Sequence, residues 1–163
     1  MFSSDAPEVR EYWETACKEM GIDPSSRYMT STFGNPDFFP GNDEVTDLAL
    51  EGQKQATSHL AIDFEVHNIP MRQVGDYWVM LFSSLKPCGV VQLKEVKITP
   101  FNEVDDEYAA IEGEGDCSLR HWKEIHEDYF KKQLDSWGRS NEWSESVPVV
   151  CEIFKLVYPR LKT

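Results

Sequence analysis

The sequence predicts an α+β protein in which a small, mixed and bulged β-barrel is surrounded by helices. Segments with strand-like and helix-like patterns alternate along the chain, which is typical of neither an all-α nor an all-β protein. The longest strand candidate, residues 89–98, changes the phase of its apolar alternation once, as a β-bulge would. The last strand candidate, residues 149–158, is apolar on both faces, so we expect it to lie inside the sheet.

The N-terminal third predicts two helices separated by a long turn-rich segment. Residues 6–20 repeat apolar side chains at helical spacing and stop at a glycine. Residues 22–41 are rich in glycine and proline, and we expect turns there rather than a regular element. A short helix is predicted over about 43–51, with Asn42 as its cap, and Gly52 suits the left-handed conformation that closes a helix.

Three segments in the middle of the chain predict strands, namely residues 54–60, 76–83 and 89–98. The apolar positions of the third segment are Val91, Leu93, Val96 and Ile98. Their period of two slips by one residue near Lys94 and Glu95, and an inserted residue at that point would keep both halves on the same face. Such a bend is expected where a sheet curls into a barrel.

The C-terminal half predicts two helices before the last strand. The first is short, at about residues 104–111, and the second covers about 118–137 with apolar side chains at i, i+3 and i+4 spacing. His126 lies on the apolar face of the second helix and is predicted to be a core residue, whereas His121 is predicted to lie at the surface. Two histidines five residues apart fit one helical face poorly, so this pair does not predict a metal site.

Length and composition predict one soluble globular domain. The chain has 163 residues, of which 40% are hydrophobic and 28% are charged. It contains no apolar run of about 18 residues, so no membrane span is predicted, and its N-terminus lacks the pattern of a secretion signal. The four cysteines form no C-x-x-C pair, which argues against a zinc site and predicts reduced thiols in a cytoplasmic protein.

The net charge of −13 is unevenly spread along the chain. Residues 1–53 carry 3 basic and 11 acidic side chains, and residues 101–147 carry 5 and 13. By contrast, residues 54–100 carry 5 basic and 4 acidic side chains, and residues 148–163 carry 3 and 1. Nucleic-acid backbones bind through lysine and arginine, so no strong non-specific DNA binding is expected. The nearly neutral strand segments still permit a local face that binds a phosphate or a base.

Several short segments occur in a fixed order along most of the chain, from Phe33 to Tyr158. They are Phe33-Gly34, Leu48 to Thr57, Val74 to Tyr77, Thr99 to Val104, Glu112 to Asp116 with Ser118, Leu119 and Trp122, and Pro148 to Glu152. Each is weakly specific, but their order and spacing together resemble the ASCH domains, which belong to the PUA-like superfamily of small β-barrels. The resemblance implies a PUA-like ASCH domain over residues 25–163, with an N-terminal helical extension at residues 1–24.

The resemblance also implies binding of RNA or of a modified nucleoside, with no cofactor. One small bacterial branch of the family resembles an amidohydrolase that removes the acetyl group from acetylated cytidine, and another member is similar to a ribonuclease. The amidohydrolase branch uses a lysine, a threonine three residues later, and a glutamate from the helix after the strands. Aligned motif to motif, these catalytic residues fall on Lys54, Thr57 and Glu112.

Four further residues in or beside these segments are implied to bind substrate, namely Phe33, Gly34, His59 and Glu114. His59 departs from the amidohydrolase branch, which has an arginine at this position. An arginine offers a planar fork to oxygen acceptors and a histidine does not, so both a different substrate and a loss of activity stay open.

In a hydrolase, Thr57 would be the nucleophile, Lys54 the base that takes its proton, and Glu112 the acid that orients Lys54. Lys54 would act as a base only when neutral, which burial would favour by lowering its pKa. A regular strand would point Lys54 and Thr57 to opposite faces, so we expect this segment to bend. In the structural alternative, Lys54 supports a helix end and Thr57 is an ordinary β-branched strand residue.

Other interpretations of these segments stay open. The run from Glu103 to Asp116 holds seven carboxylates and no basic residue, but a solvated helix face explains it more simply than a divalent cation does, so no metal site is predicted. Phe33, near Tyr28, would either stack on a base or pack on the barrel. Besides the hydrolase, the chain fits a non-catalytic RNA-binding or regulatory module, or a metal-assisted ribonuclease.

Overall fold

Within residues 5–161, the part of the chain that the computed structural model describes, five strands form one mixed sheet. They are β1 (Tyr28–Thr32), β2 (Ala56–Leu60), β3 (Tyr77–Leu81), β4 (Pro87–Pro100) and β5 (Pro148–Tyr158). Their spatial order is β1-β3-β4-β5-β2, so β1 and β2 are the two edges. β1 pairs with β3 in parallel, and the other neighbours pair antiparallel. The sheet curls into a half-barrel, which confirms the predicted α+β class.

Within residues 5–161, five α-helices surround this sheet. They are α1 (Pro7–Met20), α2 (Asn42–Leu50), α3 (Ala61–Val66), α4 (Asp106–Glu112) and α5 (Leu119–Ser136). The side chains of Asp105 and Ser118 cap the starts of α4 and α5 by accepting N–H bonds, which fixes where the two helices begin. None of the described helices combines the length and the apolar character that crossing a bilayer requires.

The predicted bulge in β4 is confirmed. Opposite β5, Leu93 pairs with Phe154 and Glu95 pairs with Ile153, so Lys94 is the extra residue. The extra residue bends the strand and strengthens its twist, which lets the sheet curl. Side chains beyond the bulge return only partly to the interior.

The exposure of β4 side chains shows this difference across the bulge. Val91 and Leu93, before the bulge, are fully buried. Val96, after it, packs against the same apolar cluster, whereas Ile98 is 52% exposed. Because the register is continuous after the bulge, Ile98 shares a face with Val96, as predicted, but its side chain is exposed rather than packed on the cluster.

Three apolar clusters attach the helices to the sheet. One joins α1 to β3 and β4, a second joins α2 to β3, β4 and β5, and a third joins α4 and α5 to β2 and β5. In the first, Trp13 of α1 is 2% exposed and stacks on Tyr28 with ring centroids 4.6 Å apart. Helix α1 is therefore packed on the sheet by a fully buried aromatic side chain.

The structure differs from the sequence-based expectations in two elements and one helix cap. β1 lies in the segment 22–41, for which the sequence predicts only turns. Three of its five residues are polar and its register depends on β3, so no local pattern indicates this strand. α3 has six residues, too few for a helical period to show. Asn42 is inside α2 rather than capping it, and its side chain donates to Phe33 O at 3.1 Å.

Candidate functional site

Two segments far apart in sequence meet at the end of α4. Gln55 N–H donates to Ile111 O at 3.0 Å, and Gln53 Nε2 donates to Gly113 O at 2.8 Å. Gly113 ends α4 with φ 69°, and a Cβ atom there would lie 2.5 Å from Gln53 O. Glycine permits both the left-handed backbone and this close approach. The contact places Lys54 beside the last residue of α4.

The carboxylate of Glu112, the last residue of α4, is the centre of a buried polar network. Its Oε1 lies 3.3 Å from Lys54 Nζ and 3.2 Å from His126 Nε2. Its Oε2 accepts hydrogen bonds from Ser58 Oγ at 2.9 Å and from Trp122 Nε1. Glu112 is only 2% exposed, so these four donors replace the water that its charge would otherwise need.

Lys54 is a buried ammonium group held by two carboxylates. Its side chain is 1% exposed, and Nζ lies 2.7 Å from Glu114 Oε1 in addition to its contact with Glu112. Burial alone would lower the pKa of Lys54, but Glu112 and Glu114 outweigh burial and raise it. Burial alone would raise the pKa of Glu112, but His126 and Lys54 together lower it. Lys54 and Glu112 are therefore both ionised at neutral pH.

His126 is a second cation in this network. Its ring stacks on Trp122, one helical turn earlier on α5, with centroids 4.3 Å apart. Nδ1 faces Trp122 O at 2.8 Å and Nε2 faces Glu112 Oε1, and both of these oxygens only accept hydrogen bonds. Both ring nitrogens therefore carry a proton. In agreement, burial would lower the pKa of His126, but the Glu112 carboxylate outweighs burial and raises it.

Thr57 lies in β2 and lines a small cavity of about 50 Å³. Its side chain hydroxyl has no hydrogen-bond partner among residues 5–161, whereas its carbonyl oxygen accepts from Tyr108 Oη at 2.7 Å. Ser58, the next residue, lines the same cavity and is bound to Glu112. The cavity thus combines an unengaged hydroxyl with a wall that includes the Glu112 carboxylate.

A larger cleft of about 250 Å³ adjoins the small cavity. It is lined by residues of both edge strands, of α3 and of α5. The residues that line both spaces are Gly34, Thr57, Ser58 and Tyr129. A ligand in the cleft can therefore extend a substituent toward Thr57.

Arg72 lines this cleft and is part of a second buried charge contact. It is 6% exposed, and its guanidinium stacks on Trp78 at 4.6 Å from the ring centroid. Its Nη2 lies 2.7 Å from His59 Nε2 and 3.0 Å from Oε1 of the fully buried Glu152. Burial alone would raise the pKa of Glu152, but Arg72 and His59 lower it, so Glu152 is ionised and neutralises Arg72.

Residues 29–158, most of the chain, match the model of the ASCH domain. The chain belongs to the ASCH domain family. This membership confirms the resemblance inferred from the order of the sequence motifs, and it places the chain among domains that are generally RNA-binding-like. Among curated proteins, none matches the chain.

Solved structures are similar over nearly the whole ASCH chain. A crystal structure of an ASCH domain from Lactobacillus crispatus JV V101 is 26% identical with a TM-score of 0.83, covering 97% of this chain and 99% of that chain. A protein from Enterococcus faecalis V583 is 22% identical with a TM-score of 0.75, covering 93% of this chain and 90% of that chain. The first match confirms the PUA-like fold, and the second shows the same fold.

This ASCH domain brings most of the predicted site residues to one place. Those that line the small cavity are Phe33, Gly34, Thr57, Glu112 and Glu114. Lys54 contacts both carboxylates of that set. His59 lies apart from them, in the wall of the larger cleft beside Arg72. The catalytic and substrate-binding roles of these residues stay predictions.

Phe33 is mainly a core residue. It is 3% exposed, and its ring meets Trp78 with centroids 4.6 Å apart in an edge-to-face arrangement. Lys54 Nζ lies 5.3 Å from the centroid of the same ring, close enough for a cation–π contact. Of the two alternatives for Phe33, the structure shows packing on the sheet.

The expectation of a lowered pKa for Lys54 is wrong, because its pKa is raised. Burial acts in the expected direction, but the two carboxylates reverse the shift. The segment from Lys54 to Thr57 does not need to be a bent strand for both side chains to approach one site. Lys54 precedes β2, which begins at Ala56, so the alternation of a strand does not apply to the pair Lys54 and Thr57.

Sequence reasoning missed Ser58 and Arg72 as site residues and predicted His126 only as a core residue. A histidine on an apolar helical face next to Trp122 needs buried partners, and this requirement was the one available signal. His121, predicted to lie at the surface, is half-buried. Ser58 and Arg72 carried no signal because their contacts are with residues distant in sequence.

The acidic run from Glu103 to Asp116 separates into different roles in the structure. Glu112 and Glu114 face Lys54, Asp105 caps α4, and Asp116 accepts from Ser118 N at 2.9 Å. The described residues contain no grouping of three or more histidine, cysteine, aspartate or glutamate side chains placed to hold a metal ion.

Proposed function

We propose that this ASCH domain binds a modified nucleoside and hydrolyses an amide on its base, as an acetylated-cytidine amidohydrolase would. The observation that carries the proposal is the unengaged hydroxyl of Thr57 in a cavity whose wall includes Glu112, the carboxylate bound to Lys54. Thr57 and Glu112 line this cavity, and Lys54 lies behind it in contact with Glu112, which supports roles for them as nucleophile, orienting carboxylate and base. Membership of a family that is RNA-binding-like supports a nucleoside as the ligand.

The buried charges support a functional role for this cavity. Breaking a buried ion pair costs about 3–5 kcal/mol, yet replacing the whole set by apolar side chains is often neutral or stabilising. Stability alone therefore gives no reason to bury Lys54, Glu112 and His126 together. Ionisable groups with shifted pKa values beside a cavity are typical of binding and catalytic sites.

In the proposed reaction, Thr57 Oγ1 attacks the acyl carbon and its proton passes to the neutral form of Lys54. The carbon–nitrogen bond then breaks, and the protonated Lys54 returns the proton to the departing amine. A water molecule next attacks the acyl–threonine ester, again with Lys54 as base, and releases the carboxylic acid and the free hydroxyl. Glu112 orients Lys54 throughout, and His126 holds Glu112.

The test is acetate release from acetylated cytidine by substituted proteins. Thr57→Val keeps the shape of the side chain without its hydroxyl, whereas Thr57→Ser keeps the hydroxyl. We expect Thr57→Ser to retain hydrolysis, and Thr57→Val and Lys54→Met each to lose about 10²-fold or more in kcat/KM. Thr15→Val, on the exposed face of α1, is the matched control. Equal hydrolysis by Thr57→Val and the unmodified protein would contradict the proposal.

A second candidate function is binding without turnover. The raised pKa of Lys54 favours it, because a protonated amine does not accept the Thr57 proton. Cytidine or RNA that binds while no acetate is released from acetylated cytidine would support this candidate. RNA that is degraded, and is protected when a chelator is added, would instead support the ribonuclease alternative.

A further inference from the structure

The larger cleft lies where the half-barrel stays open. Its walls include residues of β1 and β2, the two edge strands that do not pair with each other. Four aromatic side chains line it, those of Phe38, Phe64, Tyr129 and Trp137, together with several hydroxyl and amide groups. Aromatic side chains offer flat apolar surface, so a planar ring is a suitable ligand for such a cleft.

Arg72 presents unused hydrogen-bond donors at this cleft. A guanidinium carries five N–H groups, and the contacts with His59 and Glu152 involve Nη2 alone. Its Nε and Nη1 have no hydrogen-bond partner within residues 5–161. Stacking on Trp78 holds the guanidinium plane in place. A fixed planar donor of this kind suits a carbonyl oxygen on a ligand.

Gln133, on α5, has one amide atom without a partner among the described residues. It lines the cleft and is 7% exposed. Gln133 Nε2 donates to Tyr129 Oη at 3.1 Å, and Tyr129 Oη also accepts from Asn35 N at 2.7 Å. Gln133 Oε1 has no partner in the described part of the chain. Buried polar atoms of this kind are rare in folded proteins and call for a ligand or a water molecule.

The charges around the cleft disfavour an anionic ligand. Arg72 is the one lysine or arginine among the described residues that line the cleft or the small cavity. Glu152 already neutralises it, Asp63 adds a carboxylate to the cleft, and in the adjoining cavity Glu114 is paired with Lys54. A phosphate here would lose its hydration without gaining an unpaired cation. An uncharged ring avoids that cost.

We propose that the cleft binds an uncharged heterocyclic base, whose ring carbonyl accepts hydrogen bonds from Arg72 and whose polar edge meets Gln133. Phosphorylated forms of the same ligand bind more weakly. The ligand is thus a free nucleoside or base rather than a nucleotide or an RNA chain. This inference rests on the proposed function, in which a substituent on the base reaches Thr57 through the wall that both spaces share.

Calorimetric titration of cytidine and of cytidine 5′-monophosphate tests the inference without any need for hydrolysis. We expect the unmodified protein to bind cytidine several-fold more tightly than the monophosphate at low salt. Arg72→Lys keeps a positive charge beside Glu152 but removes the planar fork, so it should weaken cytidine binding roughly tenfold. Arg139→Lys, at the surface between α5 and β5, is the matched control and should change nothing.

Two further variants test the role of charge. Asp63→Asn removes a carboxylate that lines the cleft, and Glu152→Gln removes the carboxylate paired with Arg72. Each should therefore reduce the difference in affinity between cytidine and cytidine 5′-monophosphate. Asp63 is partly exposed, so Asp63→Asn keeps the test valid if the buried Glu152→Gln fails to fold.

Three results overturn the inference: monophosphate binding as tight as cytidine binding, cytidine binding unaffected by Arg72→Lys, or no cytidine binding at millimolar concentration. Cytidine binding without hydrolysis would end the proposed function and keep the inference. Hydrolysis that does not depend on Arg72 would end the inference alone.

Discussion

At the scale of single residues, the two carboxylates that face Lys54 decide when it can act as a base. The neutral amine accepts a proton, and it is populated only above the Lys54 pKa, which Glu112 and Glu114 raise. The kcat/KM for acetylated cytidine should therefore rise with pH through the neutral range. Loss of a single proton predicts a slope of about one logarithmic unit per pH unit.

Glu114→Gln should move this pH profile. The substitution removes one of the two charges that raise the Lys54 pKa, so the profile should shift to lower pH and activity at neutral pH should increase. The measurement is kcat/KM against pH for both proteins. Glu107→Gln, on the exposed side of α4, serves as the control. A profile that stays in place or moves to higher pH would exclude Lys54 as the base.

Only part of the site could be predicted from the sequence. Lys54, Thr57 and Glu112 are predicted through the family motifs, because no local pattern joins residues as far apart as Lys54 and Glu112, which are 58 positions apart. Ser58 could not be predicted, since its role depends on which way β2 faces α4. Arg72 could not either, because it follows α3 in an irregular segment whose path the sequence does not determine.

At the scale of elements, α5 contributes His126, the second cation that pairs with the buried Glu112 carboxylate. The pKa of His126 is raised in the folded protein, so its ion pair with Glu112 stabilises fully below the unfolded-state pKa of about 6.5. That stabilisation is lost as the pH rises through the folded-state pKa. Stability from this contact is therefore greatest in mildly acidic solution.

His126→Gln should reveal this dependence. Near pH 6 we expect the free energy of unfolding to fall by about 3 kcal/mol, because Glu112 loses a buried charged partner. The difference from the unmodified protein should shrink in alkaline solution. Urea unfolding at several pH values measures it, with the exposed His67→Gln as the control. A difference that grows with pH would show that His126 is neutral in the folded state.

The bulge in β4 offers a test of how the sheet obtains its curl. Deleting Lys94 removes the extra residue between Leu93 and Glu95, which would turn the side chains on one side of it to the wrong face. We expect the deletion to prevent folding, as judged by circular dichroism and thermal unfolding. Lys94→Ala keeps the residue count, so it should stay within about 0.5 kcal/mol of the unmodified protein.

Elements with a strong internal period could be predicted, and elements that depend on neighbours could not. α5 and the phase slip in β4 follow from side-chain spacing alone. β1 has five residues, and the buried Thr30 in it donates its hydroxyl to Val79 O at 2.9 Å, a partner on another strand. No local pattern distinguishes that threonine from a threonine in a turn.

At the scale of the whole molecule, α1 bears on where the domain begins. The sequence predicts an extension over residues 1–24, and this boundary stays a prediction. The family model begins at residue 29, but α1 packs on β3 and β4 through Trp13. An extension so deeply packed should not be dispensable.

Trp13→Ala should therefore lower the free energy of unfolding by about 3–5 kcal/mol, because it opens a cavity against the sheet. Deleting residues 1–24 should go further and expose the apolar side chains of β3 and β4 to water. Chemical unfolding and solubility measure the two effects. Glu11→Ala, on the exposed face of α1, is the control. A stable, soluble truncated protein would instead confirm the predicted boundary.

The charge of the whole chain agrees with an uncharged ligand. A net charge of −13 repels polyanions, so the protein should associate slowly and weakly with long RNA. A free nucleoside feels little of this repulsion. Recognition can then depend on the cleft and cavity described above rather than on a basic surface.

Gly113 has a consequence for how the chain can vary. A side chain at residue 113 would push the end of α4 away from the segment that leads into β2. The Lys54 ammonium would then lie farther from the Glu112 carboxylate. The end of α4 and the segment before β2 can thus touch only because residue 113 has a single hydrogen as its side group. A relative that keeps the lysine and the glutamate but fills this position should possess the ingredients of the site without its assembly.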